Sequence, residues 1–132
     1  MKKKGKAIGI VLVAALLVGL TIGSSMAETL FYYPVPGETW IARTSMWGTG
    51  SSHTSRTITL GDALIDEIGV HGWLYNGGPP PDGKIVDEDE ETNYDADRAE
   101  VDLYSSTGAD YAEADHTFEA HPHYWYPSTS DS

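Results

Sequence analysis

The sequence predicts an all-β fold, a small antiparallel sandwich, and three observations carry that prediction. Polar and apolar residues alternate with a period of two in several stretches between Trp40 and His121, the pattern of strands with one buried face. Clusters of Gly, Pro, Asn and Asp separate those stretches and act as turn signals. No segment beyond residue 27 shows the three-to-four spacing of an amphipathic helix.

Taken in order, residues 28–36 form an aromatic lead (Phe31, Tyr32, Tyr33) interrupted by Pro34 and Pro36, which reads as irregular chain or an edge. Trp40 to Trp47 alternates, with Trp40, Ala42 and Met46 on one face and Ile41, Arg43 and Ser45 on the other. Residues 48–52 read as a loop and Thr54 to Leu60 as a returning strand, together a hairpin. Asp62 reads as the cap of one helical turn over Ala63 to Glu67, or as part of a bulge. From Ile68 to Tyr75, Ile68, Val70 and Leu74 face one way and His71, Trp73 and Tyr75 the other. Residues 77–93, rich in Gly and Pro and then acidic, read as one long loop, broken only by a short strand at Ile85-Val86. Arg98 to Tyr104 and Tyr111 to His121 alternate again, and Ser105 to Asp110 reads as a hairpin between them. About five to seven strands at this spacing describe an Ig-like sandwich of the antiparallel kind.

Residues 1–27 are of another character. Lys2, Lys3, Lys4 and Lys6 precede an uncharged apolar run from Ala7 to Ile22, and Ser25-Met26-Ala27 places small residues before a cut between Ala27 and Glu28. This is the layout of an export signal, shorter than the roughly 20 residues a membrane-spanning helix needs. Two regions are therefore expected: a signal peptide, 1–27, and a secreted acidic domain, 28–132. Cleavage would remove four of the eight basic side chains and none of the 20 acids, moving the net charge from −12 to −16. Such a field opposes binding to nucleic acid or to anionic lipid, and after cleavage no membrane partner is expected. It also suits a salty or alkaline medium, since salt screens the repulsion among carboxylates. With no cysteine, disulfides, thiolate metal sites and a cysteine nucleophile are excluded. Aliphatic residues are few, but 4 Trp, 8 Tyr and 2 Phe each offer roughly 150–250 Å² for burial, enough to build a core.

The run from Asp66-Glu67-Ile68 to Trp73-Leu74-Tyr75-Asn76-Gly77, the alternating strand after it and Tyr111 to His121 resemble short exported all-β proteins of Gram-positive bacteria. That likeness implies an exported β domain and no catalytic residue. A second, weaker resemblance, to lactococcin-type bacteriocins, rests on Gly37-Glu38-Thr39-Trp40 and the aromatic C-terminus, and implies a secreted effector.

Candidate sites are few. Asp89, Glu91, Asn93, Asp95, Asp97 and Glu100 have the alternating spacing of an EF-hand loop, which makes calcium the one cofactor to consider, although Tyr94 stands where that loop needs glycine. The simpler reading is a solvated acidic loop. His121 and His123 are two apart, on one face if extended, and such imidazole pairs suit zinc or copper, although Pro122 between them weakens the strand. Trp73, Tyr75, Tyr124, Trp125 and Tyr126 are candidates for an exposed aromatic surface that meets an extracellular partner. No catalytic motif is present, so the expected function is a secreted, non-catalytic structural or binding module. The alternatives are a bacteriocin-like effector and a calcium-dependent extracellular module.

Overall fold

The computed structural model describes residues 27–59 and 64–132. Residues 1–26 lie outside the described residues, as do Asp62 and Ala63 of the helical turn read over Ala63 to Glu67, whose Ile65 to Glu67 are strand instead. Among the described residues nine strands are formed: β1 (Glu28–Tyr32), β2 (Glu38–Trp47), β3 (Gly50–Thr59), β4 (Ile65–Asn76), β5 (Lys84–Ala96), β6 (Arg98–Tyr104), β7 (Tyr111–Ala120), β8 (His123–Trp125) and β9 (Ser128–Asp131). They make two antiparallel sheets packed face to face. Sheet A has the order β1-β2-β3-β6; sheet B has β5-β4-β7-β8, with β9 beside β8 on the same edge of β7.

The sandwich class is thus the observed one, with more strands than the five to seven expected. The loop read over residues 48–52 shrinks to Gly48 and Thr49, because Trp47 already pairs with Gly50; Gly48 takes the positive φ, 57°, that so tight a turn requires. The acidic stretch is not a loop. From Lys84 it pairs with β4, since ladder bonds need only backbone groups. The hairpin read over residues 98–121 is also replaced. Ser105 to Asp110 instead crosses between the sheets, its ends tied by the Ser105 amide to the Thr49 carbonyl and the Asp110 amide to the Tyr75 carbonyl. Alternation distinguishes inside from outside, not one sheet from the other.

Between the sheets the apolar core falls into two clusters. The larger joins Leu30, Trp40, Ala42, Ile68, Val70, Phe118 and Trp125. Its rings pack in sequence, stacked for Trp40–Phe118 (centroids 5.5 Å apart) and Tyr32–Trp125 (5.3 Å) and tilted for Phe118–Trp125 (5.0 Å). Trp125, expected at the surface, is fully buried here; it pairs with Phe118 across β7 and β8, so its ring falls on the inner face. The smaller cluster joins Leu74, Leu103 and Ala112.

A polar belt lies between the sheets among these residues. All inward residues of β3 are polar: Ser51, His53, Ser55 and Thr57 are buried. Ser51, His53 and Ser55 meet Thr44 of β2, His116 of β7 and Thr129 of β9 in a chain of hydrogen bonds whose direction can be deduced; the Thr57 hydroxyl is not part of it. The Ser55 hydroxyl donates to the Gly69 carbonyl (2.8 Å), which can only accept. Ser55 Oγ therefore accepts from His116 Nδ1 (2.8 Å), and His116, neutral, accepts at Nε2 from Thr129 (2.7 Å). Thr129 then accepts from Thr44 (2.5 Å), Thr44 from His53 Nδ1 (2.9 Å), and His53 Nε2 from Ser51 (2.8 Å). Both imidazoles carry their proton on Nδ1, and every group along the chain is used. The His53 ring needs room that only glycine leaves opposite: a Cβ at Gly72 would lie 2.7 Å from its ring carbon.

The two open corners of the sandwich are closed by carboxylates. Where β5 meets the free edge of β6, the Tyr104 amide donates to Asp87 (2.9 Å) and the Glu100 amide to Glu91 (3.2 Å), while the Asn93 side-chain amide donates to the Arg98 carbonyl (2.8 Å). At the opposite corner the Ser130 amide donates to Glu28 (2.7 Å) and the Met46 amide to Asp131 (2.8 Å). Burial is the main influence on the Glu28 carboxyl and pushes its pKa up against the Ser130 bond. Part of the acidic composition thus serves the fold, by occupying the edge groups to which another chain would pair.

Candidate functional site: an acidic aromatic sheet face

Sheet B turns its other face to solvent, and register fixes what stands there. One cross-strand row is Glu90, His71, Asp115 and Ser128, and the next is Glu88, Trp73, Glu113 and Ser130. Tyr94, Glu67, Glu119 and Tyr124 form a third. Tyr75 and Tyr111 pair beyond the Trp73 row.

The middle is an aromatic stack. The His71 and Trp73 rings lie parallel within 15°, centroids 4.0 Å apart, because residues two apart on a strand share a face. His71 Nε2 meets Glu88 (2.7 Å) and its Nδ1 meets Glu90 (3.2 Å). On the other flank the carboxylates of β7 are held by hydroxyls. Glu113 accepts from Tyr75 (2.8 Å) and Tyr111 (3.2 Å), Asp115 from Ser128 (2.7 Å) and Glu119 from Tyr126 (2.5 Å). Burial, then the neighbouring carboxylate, raises each phenol's pKa: Tyr75 strongly, Tyr111 upward, and Tyr126 to about 12. The tyrosines therefore remain donors, which fixes the carboxylates in place. No lysine or arginine stands in these rows; Arg43, Arg56 and Arg98 belong to the outer face of sheet A. The arrangement presents fixed negative charge around a ring surface, suited to a cation with apolar parts.

Of the candidates for an exposed aromatic surface, Trp73 lies on this face, Tyr124 is in its end row and Tyr126 reaches it through Glu119; Tyr75 shares the face but is buried against Tyr111, and Trp125 belongs to the core. The residues weighed for calcium are spread differently. Asp89, Glu91, Asn93 and Asp95 follow one another along β5, with alternate residues ~6.6 Å apart by strand rise. Asp97 lies in the bend and Glu100 on β6. The structure brings Glu91 and Asn93 to the edge of β6 at Glu100 and Arg98, and both Glu91 oxygens accept N–H groups there, from the Glu100 backbone and the Asn93 side chain. Among the described residues no group of three or more His, Asp or Glu is placed to hold a metal ion. A hollow of about 310 Å³ lined by Glu91, Arg98, Ala99, Glu100 and Asp102 opens at that corner. His121 stands beside Tyr124, Nδ1 to hydroxyl 3.2 Å.

Sequence alternation placed His71, Trp73 and Tyr75 together, but it missed Glu88 and Glu90, whose signal was hidden in a stretch read as loop. Compared with family models, curated proteins and solved structures, the chain matches none of them.

Proposed function

We propose that this chain is an exported, non-catalytic binding module that holds a cationic partner on the outer face of sheet B, in a salty or alkaline medium. The observation that carries the reading is the His71–Trp73 stack framed by Glu88, Glu90, Glu113 and Asp115, with no lysine or arginine in the same rows. Rings supply contact area with little loss of conformational freedom, and carboxylates already held by neighbouring tyrosine, serine and histidine side chains lose little more on binding. The medium follows from the same charges: salt screens repulsion among carboxylates, and neutral imidazoles are what the buried chain of hydrogen bonds requires.

Spermine, which carries amines on a methylene chain, tests this in a Trp47→Phe background that leaves Trp73 as the partly exposed indole. Titration should change Trp73 fluorescence, and Glu88→Gln with Glu113→Gln should weaken binding about tenfold, roughly 1.4 kcal/mol. An unchanged spectrum, or equal binding by the double variant, would refute the reading.

A further inference from the structure

The two outer faces differ in charge: that of sheet A carries Arg43, Arg56 and Arg98 beside Glu100 and Asp102, whereas that of sheet B is acidic throughout its rows. On sheet A, register sets Phe31 beside Ile41, Ile41 beside Arg56 and Arg56 beside Arg98 in one row, with Arg43 in the next and Ile58 beside Thr39. Three of the four basic side chains beyond residue 27 are therefore gathered on one sheet face. Arg98 is held by Glu100 (2.9 Å), but Arg43 and Arg56 are exposed and form no ion pair among the described residues. Arg56 also stands directly opposite Arg98, a like-charged pair that costs stability unless an anion lies over it. In a chain with 20 carboxylates, two guanidinium groups left without one are placed for something outside the chain. Phe31 and Ile58, 37% and 47% exposed, give the same face an apolar share.

We infer that the cationic partner of sheet B is a second copy of this chain, whose Arg43–Arg56 face lies against the Trp73 face. The inference rests on the function proposed above and names its ligand. Charge complementarity argues for it: guanidinium groups meet Glu88, Glu90, Glu113 and Asp115, while Phe31 and Ile58 meet ring surface. A long-range obstacle is the shared negative charge of the two copies, which salt reduces as the Debye length falls from ~10 Å at 0.1 M to ~3 Å at 1 M. Four strands at ~4.8 Å spacing make a face on the order of 400 Å², below the ~800 Å² per partner of a stable complex, so the contact belongs to the weak class. It is also heterologous. Each joined pair leaves one face of either kind free, and the result is an open chain of copies rather than a closed dimer.

Sedimentation of the protein in 0.5 M salt, from micromolar to millimolar concentration, tests this. The expected result is a weight-average mass that keeps rising past a dimer, and that returns to the monomer in Arg43→Glu/Arg56→Glu and in Glu88→Gln/Glu90→Gln/Glu113→Gln. Near-ultraviolet circular dichroism confirms that each variant is folded. Added to the unmodified protein, the arginine variant should shorten the chains, because it keeps its sheet B face and terminates growth. A monomer at every concentration, a mass that stops at two, or association indifferent to both variants would overturn the inference. So would a monomer that retains polyglutamate through Arg43 and Arg56, which would make the partner a polyanion. If association fails while spermine still binds, only this inference falls; if spermine fails as well, the function falls with it.

Discussion

The two parts of the core hold the sheets together by different forces. Around Trp40, Phe118 and Trp125 the sheets meet through stacked rings and aliphatic side chains, and stability there depends on volume and buried area. In the belt of His53, His116, Ser51, Ser55, Thr44 and Thr129 they meet through directed hydrogen bonds, and stability depends on where protons sit. An apolar contact tolerates any pH. A hydrogen-bond chain anchored on one carbonyl tolerates a single arrangement of protons, because an added proton leaves one hydroxyl hydrogen without an acceptor.

Acid should separate the two parts most strongly. Burial lowers the pKa of His53 to about 4; burial, and then His53 itself, lowers that of His116 to about 3. The unfolded chain, with histidines near 6.5, binds more protons than the folded one below that pH, so stability is complete above 6.5 and falls as pH drops toward 3. By pH 5, before most carboxylates titrate, the loss should be about 2 kcal/mol per buried histidine. Guanidinium titrations at pH 7 and pH 5 would measure it, and His53→Gln/His116→Gln should flatten the difference.

Trp125→Ala comes next, with an expected loss of about 3–5 kcal/mol from the cavity left among Phe118, Trp40 and Tyr32. It should lower the denaturation midpoint at both pH values equally, since it touches no titrating group of the belt. Thr129→Val is the smallest. It keeps the volume but strands the Thr44 hydroxyl and His116 Nε2, for about 1–3 kcal/mol. Unlike Trp125→Ala, it should also change the acid slope, because His116 Nε2 loses the hydroxyl that donates to it in the neutral form. Equal slopes in all three proteins would show that the belt and the ring cluster are not distinct.

How legible each region was in the sequence follows from contrast. β4, β6 and β7 were readable because apolar and polar residues alternate, and the same alternation put His116 on the inner side and His71 with Trp73 on the outer. β3 was half hidden: its inward residues Ser51, His53, Ser55 and Thr57 are as polar as those facing water, while Ile58 points outward. β5 offered no contrast at all, with acids in both rows. At Tyr124-Trp125-Tyr126 three rings in succession erase the pattern, so nothing in the composition distinguishes the buried Trp125 from its neighbours. The candidate site was accordingly half legible, its rings seen and the β5 carboxylates around them missed.

The carboxylate bonds at the sandwich corners make colloidal behaviour a function of acidity. Asp87, Glu91 and Asp131 occupy amides of Tyr104, Glu100 and Met46 that would otherwise serve as templates for incoming strands. Protonation weakens those latches at the same time as it removes the charge that keeps molecules apart. Strand-edge pairing between molecules should therefore be blocked at neutral pH, whatever contacts the sheet faces make, and fibril growth should set in only in acid, where the edges become available to one another.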